Sequence, residues 1–331
     1  MENKALPLAI LIALLVGVIT IIFKWVVYKK RRTLPPGPTG LPIFGCLLQM
    51  LLNKPTFRWI HRLMDDMNTE IACIRLGGTH VIPVTSPELA REFLKNQDST
   101  FASRPDCMSG RLSSNGYLTA ALTPKGDQWK KMRKVLTSDV FSPAKHRWLH
   151  DKRMVETDNL VRYVYNQCNN SLEGVGLVNV RIAAQHYCGN VIRRLIFSKK
   201  YFGNGKEDGG PGPEEEEHVS AFFTILSSLY GFSIADYIPW FEIFDFDGYK
   251  GILKKAIESV TKFHDPEIDN RIQMWKKGMI VIEEDILDVL INLKDSKGAP
   301  LLTIEEIKAQ IIVRMPPQIS HPLQLFLFLV S

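Results

Sequence analysis

The chain has 331 residues, 45% of them hydrophobic and 23% charged, which is enough apolar material for one large domain or two ordinary ones with a real core. Its net charge of +6 is largely local: Lys24, Lys29, Lys30, Arg31 and Arg32 carry five positive charges, so the remainder is nearly neutral, which argues against a basic groove for nucleic-acid phosphates. The five cysteines (Cys46, Cys73, Cys107, Cys168 and Cys188) are scattered without a CxxC, which argues against a disulfide framework or a zinc knuckle and for a reducing compartment.

In chain order, the first feature is ALPLAILIALLVGVITIIF at 5–23, an uncharged run followed by KWVVYKKRR. At about 1.5 Å per residue such a run spans roughly 30 Å, enough for one transmembrane helix. It is longer than the apolar region of a cleaved signal, and the lysines and arginines after it would hold that side in the cytosol. Residues 1–33 are therefore expected to be a single-pass anchor and basic flank, with the body facing the cytosol. Next, LPPGPTGLP at 34–42 carries prolines that fix φ and lack donors, so neither helix nor central strand continues through it.

The body opens with a helix expected at 57–67. Two short runs at 71–76 and 80–85, separated by Gly77-Gly78-Thr79, then predict a hairpin. Ser86-Pro87-Glu88 signals a capped helix to about Gln97. The chain is then mainly helical: 148–168 with apolar Leu149, Leu160, Val161, Val164 and Cys168, then 180–197, 250–277 and 284–293. Between them, 203–213 is dense in glycine and proline and precedes Glu214–Glu217, read as a solvated loop and helix start. Its GNGK lacks the spacing and the hydroxyl residue of a phosphate loop. ADYIPWFEIFDFDGY at 235–249 reads as a buried or membrane-facing connection. The fold class is mainly α with a small β-hairpin region (α+β), in one domain behind one anchor.

The stretch with the most chemistry is PKGDQWKKMRKVL at 124–136. Trp129 and Arg133 are four apart and share a helix face, so an indole N–H and a guanidinium can donate to one carboxylate. The plainer reading is an amphipathic helix with one buried tryptophan and one solvated arginine. His186 with Cys188 is too sparse for a metal site, and isolated histidines such as His146 and His264 read as surface or core residues.

Anchor, basic cluster, PPGPTGLP, hairpin, capped helix, FASRP (101–105) and WKKMR together resemble the N-terminal part of a plant cytochrome P450. TFASRPDCMSGRLSSNGY, HYCGNVIRRLIF and FHDPEIDNRIQMW further resemble the subfamily that N-hydroxylates amino acids to aldoximes. The resemblance covers 35–312. It implies an incomplete cytochrome P450 fold at 34–312, with haem propionates held by Trp129 and Arg133. It also implies an NADPH-dependent P450 reductase in the endoplasmic reticulum membrane and an amino acid substrate with an aromatic or large apolar side chain. The loop at 107–123 corresponds in position to the family's first substrate-recognition segment.

The family's haem-ligand cysteine loop and oxygen-activating acid–alcohol pair have no match here. Cys188-Gly189 lies in a helical pattern, Cys46 follows the proline segment, and Glu88–Arg91 is a coincidental ExxR on an early helix. The axial cysteine is thus absent, no metal ligand is assigned, and the chain as written is expected to be inactive. The alternative is a noncatalytic, membrane-anchored interaction protein. Thr303 and Glu306 form a capping box that opens a helix with Ile304, Ile307, Ile311 and Ile312 on one face. Residues 313–331, with Pro316 and Pro317, then read as an aberrant tail from a retained intron or a shifted frame.

Overall fold

A computed structural model of the chain describes residues 16–18, 20, 34–169, 176–207, 209–229, 231, 233–243, 245 and 247–312. Apart from positions 16–18 and 20, the expected anchor at 5–23 lies outside the described residues, as does the tail at 313–331. Among the described residues no helix is long and apolar enough to cross a membrane. The chain divides into two compact units, Met1–Ala102 with Ile234–Phe244, and Ser103–Ser233 with Asp245–Ser331.

The first unit is organised around the hairpin. Helices α1 (Leu47–Leu52) and α2 (Thr56–Asp66) precede β1 (Ile74–Leu76) and β2 (Thr79–Val81), which pair antiparallel with Arg75 opposite His80. The strands are shorter than expected because Pro83 has no N–H for the ladder, and pairing resumes only as a bridge between Ile71 and Val84. The proline segment packs against this hairpin: Cys73 N–H donates to Pro36 O at 2.8 Å and Cys46 N–H to Arg75 O at 2.7 Å. Gly77 turns the hairpin at φ +56°, and a Cβ there would lie 2.1 Å from Tyr237 O, so only glycine fits. Helix α3 (Pro87–Arg91) starts as its sequence signals, with Ser86 Oγ accepting from Leu89 N–H at 3.4 Å. It runs into a π-turn at Glu92–Asn96, and α4 (Asp98–Phe101) follows. Two 3-10 turns, Ile234–Asp236 and Pro239–Ile243, complete the unit, with Ile238 buried and Trp240 exposed.

The second unit is helical: α5 (Met108–Ser113), α6 (Asp127–Lys134), α7 (Pro143–Trp148), α8 (His150–Asn169), α9 (Val180–Phe197), α10 (Pro213–Ser228), α11 (Tyr249–Lys276), α12 (Ile286–Asn292) and α13 (Ile304–Ile312). Helix α9 serves two apolar clusters. Ile196 and Phe197 join Met132, Val135, Leu287, Leu290 and Ile311 in one. Tyr187, Cys188 and Val191 join Phe222, Leu253 and Val260 in the other. Each such aliphatic or aromatic side chain contributes roughly 1.5–3 kcal/mol when fully buried. Gly189 lets α9 and α10 approach closely, since a Cβ there would lie 2.8 Å from Val219 Cγ2.

Two sequence expectations change in this unit. In α8, Val161 and Cys168 are exposed, and the buried residue is Glu156, drawn inward by an ion pair with Arg194. In the acidic run, Glu215 is fully buried against Arg193, which is itself only 2% exposed. Charge partners, invisible in hydropathy, decide both positions. A third polar tie joins α11 to α12: Arg271 bridges Asp285 at 3.0 Å and Asp288 at 2.9 Å, and Trp275 Nε1 donates to Asp288 at 2.7 Å.

Candidate functional site

Helix α6 presents three faces, and its sequence assigns each a role. Met132 is fully buried and points into the core, as does Val135 one turn on. Gln128 and Lys131 turn toward α13 and reach Glu306 at 2.9 Å and 2.7 Å. Trp129, half-buried, and Arg133, exposed, occupy the third face, with the guanidinium carbon 5.0 Å from the indole centroid. Stacking of a cation on an indole orders the arginine without consuming its five donors. Among the described residues Arg133 makes no ion pair with a carboxylate, and its one described side-chain contact is the stack on Trp129.

The opening of α13 follows the capping-box pattern in the sequence. Thr303 Oγ1 accepts from Glu306 N–H at 3.2 Å, and Glu306 Oε2 accepts from Thr303 N–H at 2.9 Å. Ile307, Ile311 and Ile312 are buried as expected, while Ile304 is exposed.

The segment at 107–123 is held against this helix. Ala120 N–H donates to Gln310 Oε1 at 3.2 Å, and Asn115 Nδ2 donates to Glu305 at 3.2 Å. Within the segment, Asn115, Gly116 and Tyr117 all have positive φ, at 49°, 78° and 68°. For two non-glycine residues that is a strained turn. It is over-determined by the Tyr117 hydroxyl, which donates to Asp106 at 2.6 Å and accepts from Cys107 N–H at 2.9 Å.

Two of the five cysteines belong to the first unit and three to the second, and all five are free thiols. Cys188 is wholly buried in the middle of α9, and burial pushes its thiol up to about 12. Burial also raises Cys46 and Cys73, beside the hairpin. Cys107 Sγ caps α5 by accepting from Gly110 N–H at 3.4 Å. Cys168 is exposed at the end of α8.

A polar centre with no spacing signal in the sequence lies between α10 and α11. His218 Nε2 and His264 Nε2 are 2.8 Å apart, both rings buried, although 46 residues separate them in sequence. Phe197, Phe202, Phe222 and Phe263 surround them. Burial and, for His218, its partner ring and then Arg193 hold these imidazoles far below the usual histidine range, so both are neutral. The adjoining cavity, lined also by Arg193 and Ile311, is about 10 Å³, room for no more than one water. His264, read from sequence as a surface or core residue, lies in the core, and its partner comes from the fold alone.

Comparisons with known proteins bear on what this geometry serves. A family model described as Cytochrome P450 matches residues 35–315. The chain is 51% identical over 319 residues to isoleucine N-monooxygenase 1 of Lotus japonicus, covering 93% of this chain and 60% of that protein. It is 55% identical over 277 residues to a tyrosine N-monooxygenase of Sorghum bicolor, covering 84% and 50%. It is 50% identical over 308 residues to a tryptophan N-monooxygenase of Prunus mume, covering 92% and 58%. The chain thus spans about half to three fifths of the length of these curated relatives.

Proposed function

The chain belongs to the cytochrome P450 family, and from that membership we propose that it is the N-terminal part of an amino-acid N-monooxygenase. The reaction is two successive N-hydroxylations of a free L-amino acid, each consuming one O2, two protons and two electrons from an NADPH-dependent reductase, with one oxygen atom entering the substrate and the other leaving as water. Loss of water and carbon dioxide then leaves the aldoxime. The observation that carries this reading is identity of about half the residues to N-monooxygenases across most of the chain. Relatives named for isoleucine and valine match about as well as those named for tyrosine and tryptophan, so the side chain is aromatic or branched aliphatic.

In this reading Trp129 and Arg133 donate to a haem propionate. Haem, when bound and ligated by a thiolate, supplies the oxygen-activating chemistry. The chain's own part is to seat the carboxylate edge and to form, through the strained 107–123 segment, a rigid wall beside the amino acid. Residues 1–33 anchor the body to the endoplasmic reticulum membrane with the body in the cytosol. In this reading the axial thiolate is not among the 331 residues, because none of the five cysteines sits in the family's glycine-containing ligand loop.

Two experiments test the proposal. In the first, residues 35–312 replace the corresponding part of the Sorghum bicolor tyrosine N-monooxygenase, and the chimera is supplied with reductase, NADPH and single amino acids. Aldoxime from at least one aromatic or branched aliphatic amino acid is the expected product. A chimera with a thiolate-type Soret band in its carbon monoxide difference spectrum and no aldoxime from any of them overturns the reading. In the second, the same spectrum is recorded on the chain itself, where a thiolate-type band would contradict the cysteine assignment.

A further inference from the structure

The face of α6 opposite its ligand side is fastened at one carboxylate. Glu306 accepts from Lys131 Nζ through both oxygens, at 2.7 and 2.8 Å, from Gln128 Nε2 at 2.9 Å and from the Thr303 N–H at 2.9 Å. One buried carboxylate therefore closes the cap of α13 and holds two polar residues of α6 about one turn apart. Burial acts to raise the Glu306 pKa, but the hydrogen bonds from Lys131, Thr303 and Gln128 and the charge of Lys131 outweigh it, leaving the group below its ordinary value and ionised.

The same contacts sort the cations of α6. Lys130 pairs with the exposed Asp127 at 3.1 Å, and Lys131 turns inward to Glu306. Arg133 remains stacked on Trp129. On an eight-residue helix, fixing Gln128 and Lys131 fixes the rotation about the axis and hence where Trp129 and Arg133 point.

We propose that Glu306 is a positioning residue for the Trp129–Arg133 face, setting the rotation of α6 so that both donors meet one ligand carboxylate. The inference rests on the reading that this face receives a haem propionate. Charge alone argues the other way: removing Glu306 would free Lys131, raise the local positive potential and strengthen an anion site. The sign of the effect therefore separates positioning from electrostatics.

The test titrates the full chain in detergent micelles with iron-free protoporphyrin IX and with its dimethyl ester, following porphyrin absorbance. The diacid carries the two carboxylates and the ester masks them, so their affinity ratio reports the propionate contact without iron or turnover. The wild type prefers the diacid, and Arg133→Met loses that preference. Glu306→Gln, which keeps an acceptor for the cap, and Lys131→Met, which leaves the cap intact, each lower the ratio by on the order of tenfold, as outer partners of a ligand commonly do. The double variant is no worse than either single one. A ratio unchanged or raised in Glu306→Gln overturns the proposal, as does a loss that affects diacid and ester equally and tracks the melting temperature. If the wild type itself shows no preference for the diacid, the propionate reading fails and the positioning role with it. A preference that depends on Arg133 but not on Glu306 removes the positioning role alone.

Discussion

The His218–His264 pair makes the stability of the chain acid-sensitive in a way that can be calculated. With their nitrogens 2.8 Å apart, one ring must carry its proton on Nε2 and the other on Nδ1, and among the described residues neither has a carboxylate partner to support a positive charge. Arg193 from α9 faces both, and Glu215 from α10 is engaged by that same arginine. Both folded-state pKa values are depressed, so below the unfolded value of about 6.5 the unfolded chain binds protons that the folded chain refuses, and stability falls as pH falls. Each unit of pH below that value costs about 1.4 kcal/mol per histidine, so the pair loses about 3 kcal/mol between pH 7.5 and 5.5. Urea unfolding of the chain in micelles, followed by tryptophan fluorescence at the two pH values, measures the loss. His186, also depressed by burial, adds to the total, so the informative quantity is the difference from a His218→Phe/His264→Leu variant. That variant is expected to stay within about 1 kcal/mol of wild type at pH 7.5, since both polar partners leave together. It should also lose about 3 kcal/mol of pH dependence. An unchanged pH dependence in the double variant would refute the assignment of a neutral buried pair.

Four other outcomes follow from single contacts. Arg193→Met strands Glu215 in the core and should cost about 3–5 kcal/mol, while Arg193→Met/Glu215→Leu recovers most of it in urea melts. Gly77→Ala places a methyl against Tyr237 O at a positive φ and should lower stability by about 2 kcal/mol or more on the same assay. Ser86→Ala removes the cap of α3 and should cost about 1 kcal/mol. Native-state alkylation with iodoacetamide and peptide mapping should label Cys168 first, with Cys188 protected until unfolding; rapid labelling of Cys188 contradicts its place inside α9.

Much of this was legible in the sequence because it is local. The helix at 180–197 matches its expected bounds, and the Ser86 cap and the Thr303–Glu306 box form the hydrogen bonds their spacing implies. The shared face of Trp129 and Arg133 follows from helical periodicity alone. What escaped depends on partners far apart in the chain. The acidic run at 214–217 reads as solvated until Arg193, 22 residues before Glu215, is brought against it. Val161 reads as core although Glu156 takes the buried place through Arg194. Likewise Lys131 looks like one more surface cation of WKKMR, and only the packing of α13, 175 residues away, turns it inward. Hydropathy reports burial of apolar groups, and it is silent on charges that burial pairs.

In the proposed reading the Trp129–Arg133 face receives a porphyrin carboxylate. The most direct test is the affinity of the wild-type chain for iron-free protoporphyrin IX relative to its dimethyl ester, compared with Arg133→Met. Wild type is expected to bind the diacid more tightly, and the variant to bind the two porphyrins about equally. Equal binding of diacid and ester by wild type, or a diacid preference that survives Arg133→Met, contradicts it.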